Sequence, residues 1–115
     1  MKDNSLIIIP TYNEAENIVA VINKIFSFDD NNSILVVDDN SPDGTSNIVN
    51  NLKKDNADKL FLITRDKKDG LGSAYKEGFK WALKKKYSYI FEMDADLSHD
   101  PNEIKNLKRL LNNNE

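Results

Sequence analysis

Four short apolar runs, separated by segments with helical spacing, constrain the fold of this chain more than any other feature of its sequence. The runs cover residues 6–9, 34–37, 60–63 and 89–91. Each is continuously apolar and too short for a buried helix, which is typical of strands that are covered on both faces of a sheet. The chain therefore predicts four buried strands.

The segments between these runs predict crossover helices. Apolar side chains recur at helical spacing over about residues 14–27 and again after the turn at residues 41–45. A third helix is predicted to follow Gly70, and a fourth is predicted to begin at Asp100, which can cap it. The third helix is expected to turn one apolar face, together with Trp81, into the core. This face consists of Tyr75, Gly78, Phe79, Ala82 and Leu83.

The order of the predicted elements is βαβαβαβα, and this alternation determines the fold class. Strands that alternate strictly with helices form a parallel sheet with helices on both faces. We therefore predict an α/β fold with a Rossmann-like, mostly parallel sheet, in a single domain over residues 1–115. Ligands of such sheets bind outside the carboxyl ends of the strands, so we expect the functional residues in the loops that follow them.

Composition excludes several functions. The 115 residues are 39% hydrophobic, which is enough for one core, and the formal net charge of −3 gives no field that would attract nucleic acid. The absence of cysteine excludes disulfides and thiolate metal sites, and it suits a cytoplasmic setting. The first apolar run is far shorter than the roughly 20 residues of a membrane span. Any membrane contact is therefore expected to be peripheral, at the cytoplasmic face, or to lie outside this chain.

An acidic pair follows the fourth predicted strand. Asp94 and Asp96 are two residues apart, so in extended chain both carboxylates point to the same side and can bind one hard cation. Mg²⁺ or Mn²⁺ needs only one or two carboxylates when phosphate oxygens of a substrate complete its shell. A surface turn is the alternative, and it is favoured for an isolated pair of this kind. The preceding apolar strand reverses that preference, because carboxylates near a core are costly unless they bind something.

The second strand is also followed by acids. Asp39 lies where doubly wound folds often place an acid that binds a ribose or base donor, and the role of its neighbour Asp38 stays open. Asp43 and Gly44 are interpreted as turn residues, because their residue types suit a turn. His99, the sole histidine, is either a third metal ligand or a turn residue.

The third predicted helix begins at a turn with two glycines, Gly70 and Gly72, after the cations Arg65 and Lys68. Backbone amides at a helix N-terminus can receive an anion together with such cations. The turn is neither a Walker A sequence nor a GxGxxG fingerprint, and a tight connection explains it equally well. What remains is the prediction that Arg65 and Lys68 lie near a bound diphosphate.

Four segments of the chain together resemble one enzyme family. They are residues 9–14 (IPTYNE), 36–45 (VVDDNSPDGT), 70–75 (GLGSAY) and 93–99 (MDADLSH). In combination they resemble the inverting glycosyltransferases of family two, which have the GT-A fold, and within that family the dolichyl-phosphate and polyprenyl-phosphate mannosyltransferases. The first and last segments occur broadly in the family, whereas SPDGT and GLGSAY point more narrowly to the polyprenyl-phosphate group.

This resemblance implies transfer of mannose from GDP-mannose to a dolichyl or polyprenyl phosphate, with inversion and with Mg²⁺ or Mn²⁺ as cofactor. It implies that Asp94, Ala95 and Asp96 bind the diphosphate and the metal, with Asp96 in the catalytic role, and that Ser98 occupies a further donor position. The residues implied around the nucleoside are Pro10, Tyr12, Glu14, Val37 and Asp39.

The domain of the resembled family is longer than this chain. We therefore expect the chain to be truncated at its C-terminus, to lack the residues that bind the polyprenyl-phosphate acceptor, and to transfer little sugar by itself. Two alternatives stay open: a family-two transferase that uses UDP-glucose or another sugar nucleotide, and a nucleotide-binding module without turnover. A receiver-like signalling domain is disfavoured, because no single aspartate stands out as a phosphorylation site.

Overall fold

The computed structural model describes residues 4–28, 31–66 and 70–95, and it contains the predicted alternation of strands and helices. The elements are β1 (Ser5–Thr11), α1 (Ile18–Phe28), β2 (Asn32–Asp38), α2 (Thr45–Lys53), β3 (Leu60–Thr64), α3 (Leu71–Leu83) and β4 (Tyr89–Glu92). All four predicted strands and the first three helices are confirmed, and the helix predicted from Asp100 lies outside the described residues. None of the helices within those ranges is long and apolar enough to cross a bilayer.

The four strands form one parallel sheet in the order β3-β2-β1-β4. β1 pairs with β2 along its whole length, which sets Thr11 opposite Asp38, and the first half of β1 pairs with β4, which sets Ile8 opposite Glu92. The chain thus builds the sheet outward to β3 and then returns across β1 to add β4. This reversal is the kind of topological switch point at which doubly wound sheets bind ligands.

Helices cover both faces of the sheet, as predicted. Ile7 and Ile9 point into the layer that is covered by α1 and α2, whereas Ile8 and Val37 point into the layer that is covered by α3. Because successive strand residues point to opposite faces, a strand that is covered on both sides is apolar at every position. The continuous apolar runs of the sequence therefore reflect two core layers, and the predicted α/β fold is confirmed.

The third helix lies close to the sheet because small side chains face it. A Cβ atom on Gly78 would come within 2.7 Å of Cγ2 of Ile8 in β1. Among the residues of α3 whose burial the structure describes, Ala74, Gly78 and Ala82 are buried. Phe79 and Leu83, which were predicted to face the core, are instead 48% and 72% exposed, so that part of the predicted face is wrong. The smallest residues of α3 face β1 at the closest contact between helix and sheet. The larger apolar residues Phe79 and Leu83 therefore lie at the margin of this helix–sheet interface.

The predicted core position of Trp81 is confirmed at the edge of the core. Its side chain projects from α3 and is half-buried, and its ring centroid lies 5.0 Å from that of Phe61 in β3. The ammonium group of Lys85 lies 5.1 Å from the Trp81 ring centroid, within the range of a cation–π contact. Trp81 thus closes the apolar layer under α3 on the β3 side.

Candidate nucleotide site at the carboxyl edge of the sheet

The loops that follow β1, β2 and β4 meet at the carboxyl edge of the sheet. The backbone amide of Asp39 donates to the carbonyl of Thr11 at 3.0 Å, so the chain stays alongside β1 after β2 has ended. On the other side of β1, the amide of Met93 donates to the carbonyl of Ile8 at 3.0 Å, directly before Asp94. Asp39 and Asp94 therefore flank the end of β1, about two strand spacings or roughly 10 Å apart.

Asp38 ends β2 as a fully buried carboxylate that is held by hydroxyl groups. Its Oδ1 accepts hydrogen bonds from the hydroxyls of Thr11 and Ser41, both at 2.6 Å. Its Oδ2 accepts from the hydroxyl of Ser46 at 2.8 Å and from the amide of Ser41 at 3.0 Å. Four donors offset the cost of burying this charge. The role that the sequence left open is thus a structural one, since Asp38 joins β1, the loop after β2 and the start of α2.

Side chains of the SPDGT segment bind the backbone of the loop after β1. The side-chain oxygens of Ser41, Thr45 and Asp43 accept from the amides of residues 13, 14 and 15 at 2.8, 3.1 and 3.0 Å, respectively. Asp43 also accepts from the amide of Thr45, and Gly44 has φ 89° at the start of α2, so their interpretation as turn residues is confirmed. The Thr45 hydroxyl holds the pKa of Asp43 below its ordinary value of 3.8.

These contacts move the start of the first helix. Asn13 adopts φ 58°, in the left-handed region, and the carbonyl of Glu14 accepts from the amides of Asn17 and Ile18 at 3.1 and 2.9 Å. The helix consequently begins at Ile18, and its predicted start near residue 14 is wrong, because the residues before Ile18 form a separate turn that follows the left-handed Asn13. Tyr12, which precedes this turn, is 40% exposed at the carboxyl edge.

Asp39, the acid predicted to bind the nucleoside, forms a bidentate ion pair with Arg65. The guanidinium Nε lies 2.6 Å from Oδ1 and Nη2 lies 2.8 Å from Oδ2, with both side chains largely buried. The third guanidinium nitrogen, Nη1, donates to the hydroxyl of Ser73 at 2.8 Å. Arg65 thus connects the end of β2 with the start of α3. Its location near a diphosphate stays a prediction.

Asp94 follows β4 between two buried residues, Met93 and Ala95, which belong to the core layer under α1 and α2. The Asp94 side chain is half-buried, and its Oδ1 accepts a hydrogen bond from the hydroxyl of Tyr75 at 3.1 Å. Tyr75 lies on α3, two residues after Ser73. The GLGSAY segment therefore contacts both acids of the edge, one through Arg65 and one directly.

The other predicted ligands differ in how the structure places them. Pro10 and Val37 are buried in adjacent strands, so in this conformation they lie under the site rather than at its surface. Glu14 is half-buried in the loop after β1. Lys68, Asp96, Ser98 and His99 lie outside the described residues. The contacts of all these residues with a nucleotide or a metal stay predictions.

Five hydroxyl groups hold the acids of the edge, four of them directly and one through Arg65, and were not predicted to do so. They belong to Thr11, Ser41, Ser46 and Tyr75, and to Ser73, which accepts from Arg65. Their signal was present in the sequence, because all five lie within or next to the segments that carry the family resemblance. Tyr75 was assigned only to an apolar helix face, although a phenol group can fill a core position and still donate a hydrogen bond at its tip.

Two metal ligands were predicted, Asp94 and Asp96, and of these the described residues include Asp94. Within residues 4–28, 31–66 and 70–95 there is no group of three or more His, Cys, Asp or Glu side chains that could hold a metal ion. Mg²⁺ and Mn²⁺ do not need such a group when one or two carboxylates and the phosphate oxygens of a substrate complete the coordination. A half-buried carboxylate at the switch point fits that type of site, and Asp96 stays the predicted second ligand.

A parallel sheet with acids on both sides of its switch point defines an α/β domain of the doubly wound type, in which ligands bind at the carboxyl ends of the strands. Comparison with known proteins then identifies the family. The family model described as Glycosyl transferase family 2 matches residues 6–115, and the chain belongs to this family. The resemblance inferred from the four sequence segments is confirmed.

Relatives and a solved structure give finer comparisons. The chain is 45% identical over 103 residues to the polyprenol monophosphomannose synthase of Mycolicibacterium smegmatis, over 90% of this chain and 39% of that protein. It is 40% identical over 102 residues to the undecaprenyl-phosphate mannosyltransferase of Micrococcus luteus, over 89% of this chain and 42% of that protein. The chain therefore spans less than half the length of these relatives.

One structural neighbour is the mannosyltransferase PcManGT from Pyrobaculum calidifontis, solved in complex with GDP-Man and Mn²⁺. It superposes with a TM-score of 0.65 and 29% sequence identity, over 71% of this chain and 25% of that one. The neighbour thus shares the fold of this chain over most of its length.

Proposed function

We propose that the chain is the donor-binding half of a metal-dependent glycosyltransferase that transfers mannose from GDP-mannose to a polyprenyl phosphate with inversion. The observation that carries this proposal is the match, over about nine tenths of the chain, to two relatives whose names specify mannose and a polyprenyl carrier. The neighbour that binds GDP-Man and Mn²⁺ supports the donor and the cofactor.

Asp39 and Asp94 lie at the two ends of the proposed donor site. Asp39 and the exposed ring of Tyr12 lie on the β1–β2 side, where the nucleoside would bind. Asp94 lies on the β4 side, where it would bind the diphosphate together with Asp96 and the predicted contacts Lys68 and Ser98. A divalent cation held by Asp94 and Asp96 would stabilise the negative charge that develops on the departing GDP.

The chemical nature of the acceptor determines whether the protein must supply a general base. A lipid phosphate is already an anion near neutral pH, so it can attack the sugar without a strong general base. The described acids agree with this, because Asp38 and Asp39 are each held by several hydrogen bonds rather than presented as a base. Contacts with the lipid phosphate, and any peripheral contact with a membrane, are proposed to come from parts of the enzyme beyond the described residues.

Competition between nucleotides tests the donor. Binding of GDP-mannose in the presence of Mn²⁺ should be displaced by GDP more strongly than by UDP at the same concentration. Stronger displacement by UDP would instead favour a family-two transferase that uses UDP-glucose.

The chain alone, incubated with labelled GDP-mannose and a short polyprenyl phosphate, is expected to form little labelled lipid.

The acidic pair is tested by a single substitution. Asp96→Asn should weaken the binding of GDP-mannose in Mn²⁺ while it leaves the fold intact, because a functional carboxylate cluster costs stability rather than supplying it. Unchanged metal dependence in this variant would remove Asp96 from the proposed site.

A further inference from the structure

The first turns of α3 contact both acids of the proposed donor site through two separate hydrogen bonds. Tyr75 donates to Asp94, and Ser73 accepts from the arginine that is paired with Asp39. We propose that Tyr75 and Arg65 are positioning residues, which fix the carboxylates of Asp94 and Asp39 for the metal–diphosphate end and the nucleoside end of the donor. This inference rests on the proposed function.

The hydrogen bond from Tyr75 restricts the carboxylate that is predicted to bind the metal. The main chain before Asp94 is fixed by the pairing of Met93 with β1, whereas the orientation of the side chain is set by the contacts of the carboxylate itself. The Tyr75 hydroxyl, 3.1 Å from Oδ1, limits rotation of the carboxylate plane. The tyrosine ring is itself held in the core layer under α3. Outer contacts of this kind orient metal ligands and influence metal affinity.

Arg65 restricts Asp39 in a different way. Its guanidinium meets both carboxylate oxygens, and its remaining Nη1 is anchored on Ser73 at 2.8 Å. A bidentate pair fixes the plane of a carboxylate as well as its position. Asp39 is thereby presented to a nucleoside in one orientation, with its charge compensated by Arg65.

The helix can serve both acids because of where its residues point. Positions two apart on a helix face away from each other, so Ser73 projects toward β3 and Tyr75 toward β4, on the one face of the sheet that α3 covers. Ser73 reaches the end of β3 through Arg65, and Tyr75 reaches the end of β4. The close contact of Gly78 with Ile8 fixes α3 against β1, between these two sides. The GLGSAY segment therefore has a physical role other than cradling a phosphate.

The test measures how strongly Mn²⁺ improves the binding of GDP-mannose, as the ratio of the dissociation constants in EDTA and in Mn²⁺. Tyr75→Phe removes the hydroxyl and keeps the ring, and it should lower this ratio about tenfold, the scale of a hydrogen bond to a charged group. The dissociation constant in EDTA should change little. Tyr87→Phe is the matched control, because that partly buried hydroxyl bonds Ser33 near the amino end of β2; it should leave the ratio unchanged.

The role of Arg65 is tested by variants that should change the dissociation constant in EDTA and leave the ratio unchanged, the reverse of the pattern expected for Tyr75→Phe. Arg65→Lys keeps the charge but loses the bidentate geometry, so it should weaken the binding of GDP-mannose in EDTA several-fold and leave the ratio unchanged. Ser73→Ala should have the same effect on a smaller scale, and Ser73→Thr, which keeps a hydroxyl, should restore wild-type binding.

The outcomes separate this inference from the proposed function. If the wild type shows metal-dependent binding and Tyr75→Phe keeps the wild-type ratio, the positioning role of Tyr75 is overturned while the proposed function stands. Loss of stability without any change in the ratio would likewise make Tyr75 a packing residue only. If the wild type does not bind GDP-mannose in either buffer, the proposed function and this inference both fail.

Discussion

Arg65 and Asp39 form a bidentate ion pair across the carboxyl ends of β3 and β2, with nitrogen–oxygen distances of 2.6 and 2.8 Å. The pair is largely shielded from solvent, with 13% of the arginine side chain and 7% of the aspartate side chain exposed. A nucleoside that binds Asp39 must therefore use an oxygen atom that already accepts from Arg65. Each carboxylate oxygen has two lone pairs, so one oxygen can accept from more than one donor.

The first prediction concerns the stability of this pair. Arg65→Met removes the cation and leaves a largely buried carboxylate without its charge partner, which should lower the free energy of unfolding by about 3 kcal/mol. Urea denaturation measures this change. The double variant Arg65→Met/Asp39→Asn should recover part of the loss, because the uncompensated charge is then also removed. A single variant as stable as the wild type would contradict the structural weight assigned to the pair.

The second prediction concerns Asp38. In Asp38→Asn the NH2 of a side-chain amide replaces one carboxylate oxygen. This NH2 would face hydroxyl or amide donors that bond to the carboxylate in the wild type. We expect a loss of about 2–3 kcal/mol in the free energy of unfolding, since buried donors would lose their acceptor. Thermal and urea unfolding check this value. A change below about 0.5 kcal/mol, the usual range of a surface substitution, would show that the cluster is not a structural one.

The third prediction compares two glycines of α3. In Gly78→Ala the new methyl group would lie 2.7 Å from Cγ2 of the buried Ile8, so helix and sheet must separate. This overpacking should outweigh the gain in helix propensity and cost about 1–2 kcal/mol in net stability. Gly72→Ala is the control, because no atom lies within 4 Å of its added Cβ. The control should be neutral or slightly stabilising, and equal effects of the two variants would contradict the close contact.

The fourth prediction concerns stability at acidic pH. The hydroxyl of Thr45 is the largest cause that holds the pKa of Asp43 below its ordinary value of 3.8, opposed by burial and assisted by the amides of Ala15 and Thr45. A depressed pKa contributes stability that is complete above 3.8 and is lost as the pH falls through the lower pKa of the folded state.

Replacing Asp43 removes this contribution. In Asp43→Asn the free energy of unfolding should therefore fall less steeply below pH 3.8 than in the wild type, as measured by urea denaturation at low ionic strength. The difference should be small and should shrink further in added salt, because the carboxylate is exposed and its interactions are screened. Parallel pH profiles of the two proteins would rule out a role for Asp43 in acid stability.

The sequence predicted the sheet well because its signals are local. Each strand is a continuous apolar run, and strict alternation with helices leaves few topologies other than a parallel sheet. The face of α3 was predicted less well. Periodicity gave weight to the large residues Phe79 and Leu83, whereas the structure buries Gly78 and Ala82 so that the helix can approach β1. The size of a residue, as well as its hydrophobicity, decides which side of a helix makes the closest contact.

The acids at the strand ends were also visible in the sequence, but their partners were not. Asp39 and Arg65 are 26 residues apart, and Tyr75 and Asp94 are 19 apart. Such contacts form only after the strands have been ordered in space, so no local pattern indicates which cation or hydroxyl will meet which carboxylate. For the same reason the start of α1 was placed too early, because the turn that precedes it is held by Ser41, Asp43 and Thr45 of another loop.

Titration calorimetry with GDP-mannose tests the proposed donor site most directly. The wild-type chain and Asp94→Asn are each titrated in Mn²⁺ and in EDTA. We predict saturable binding by the wild type that is clearly tighter in Mn²⁺, and a loss of most of this metal dependence in Asp94→Asn with unchanged unfolding behaviour. Binding that is absent, or that is equally strong with and without the metal in the wild type, would contradict a metal-dependent sugar-nucleotide site at the end of β4.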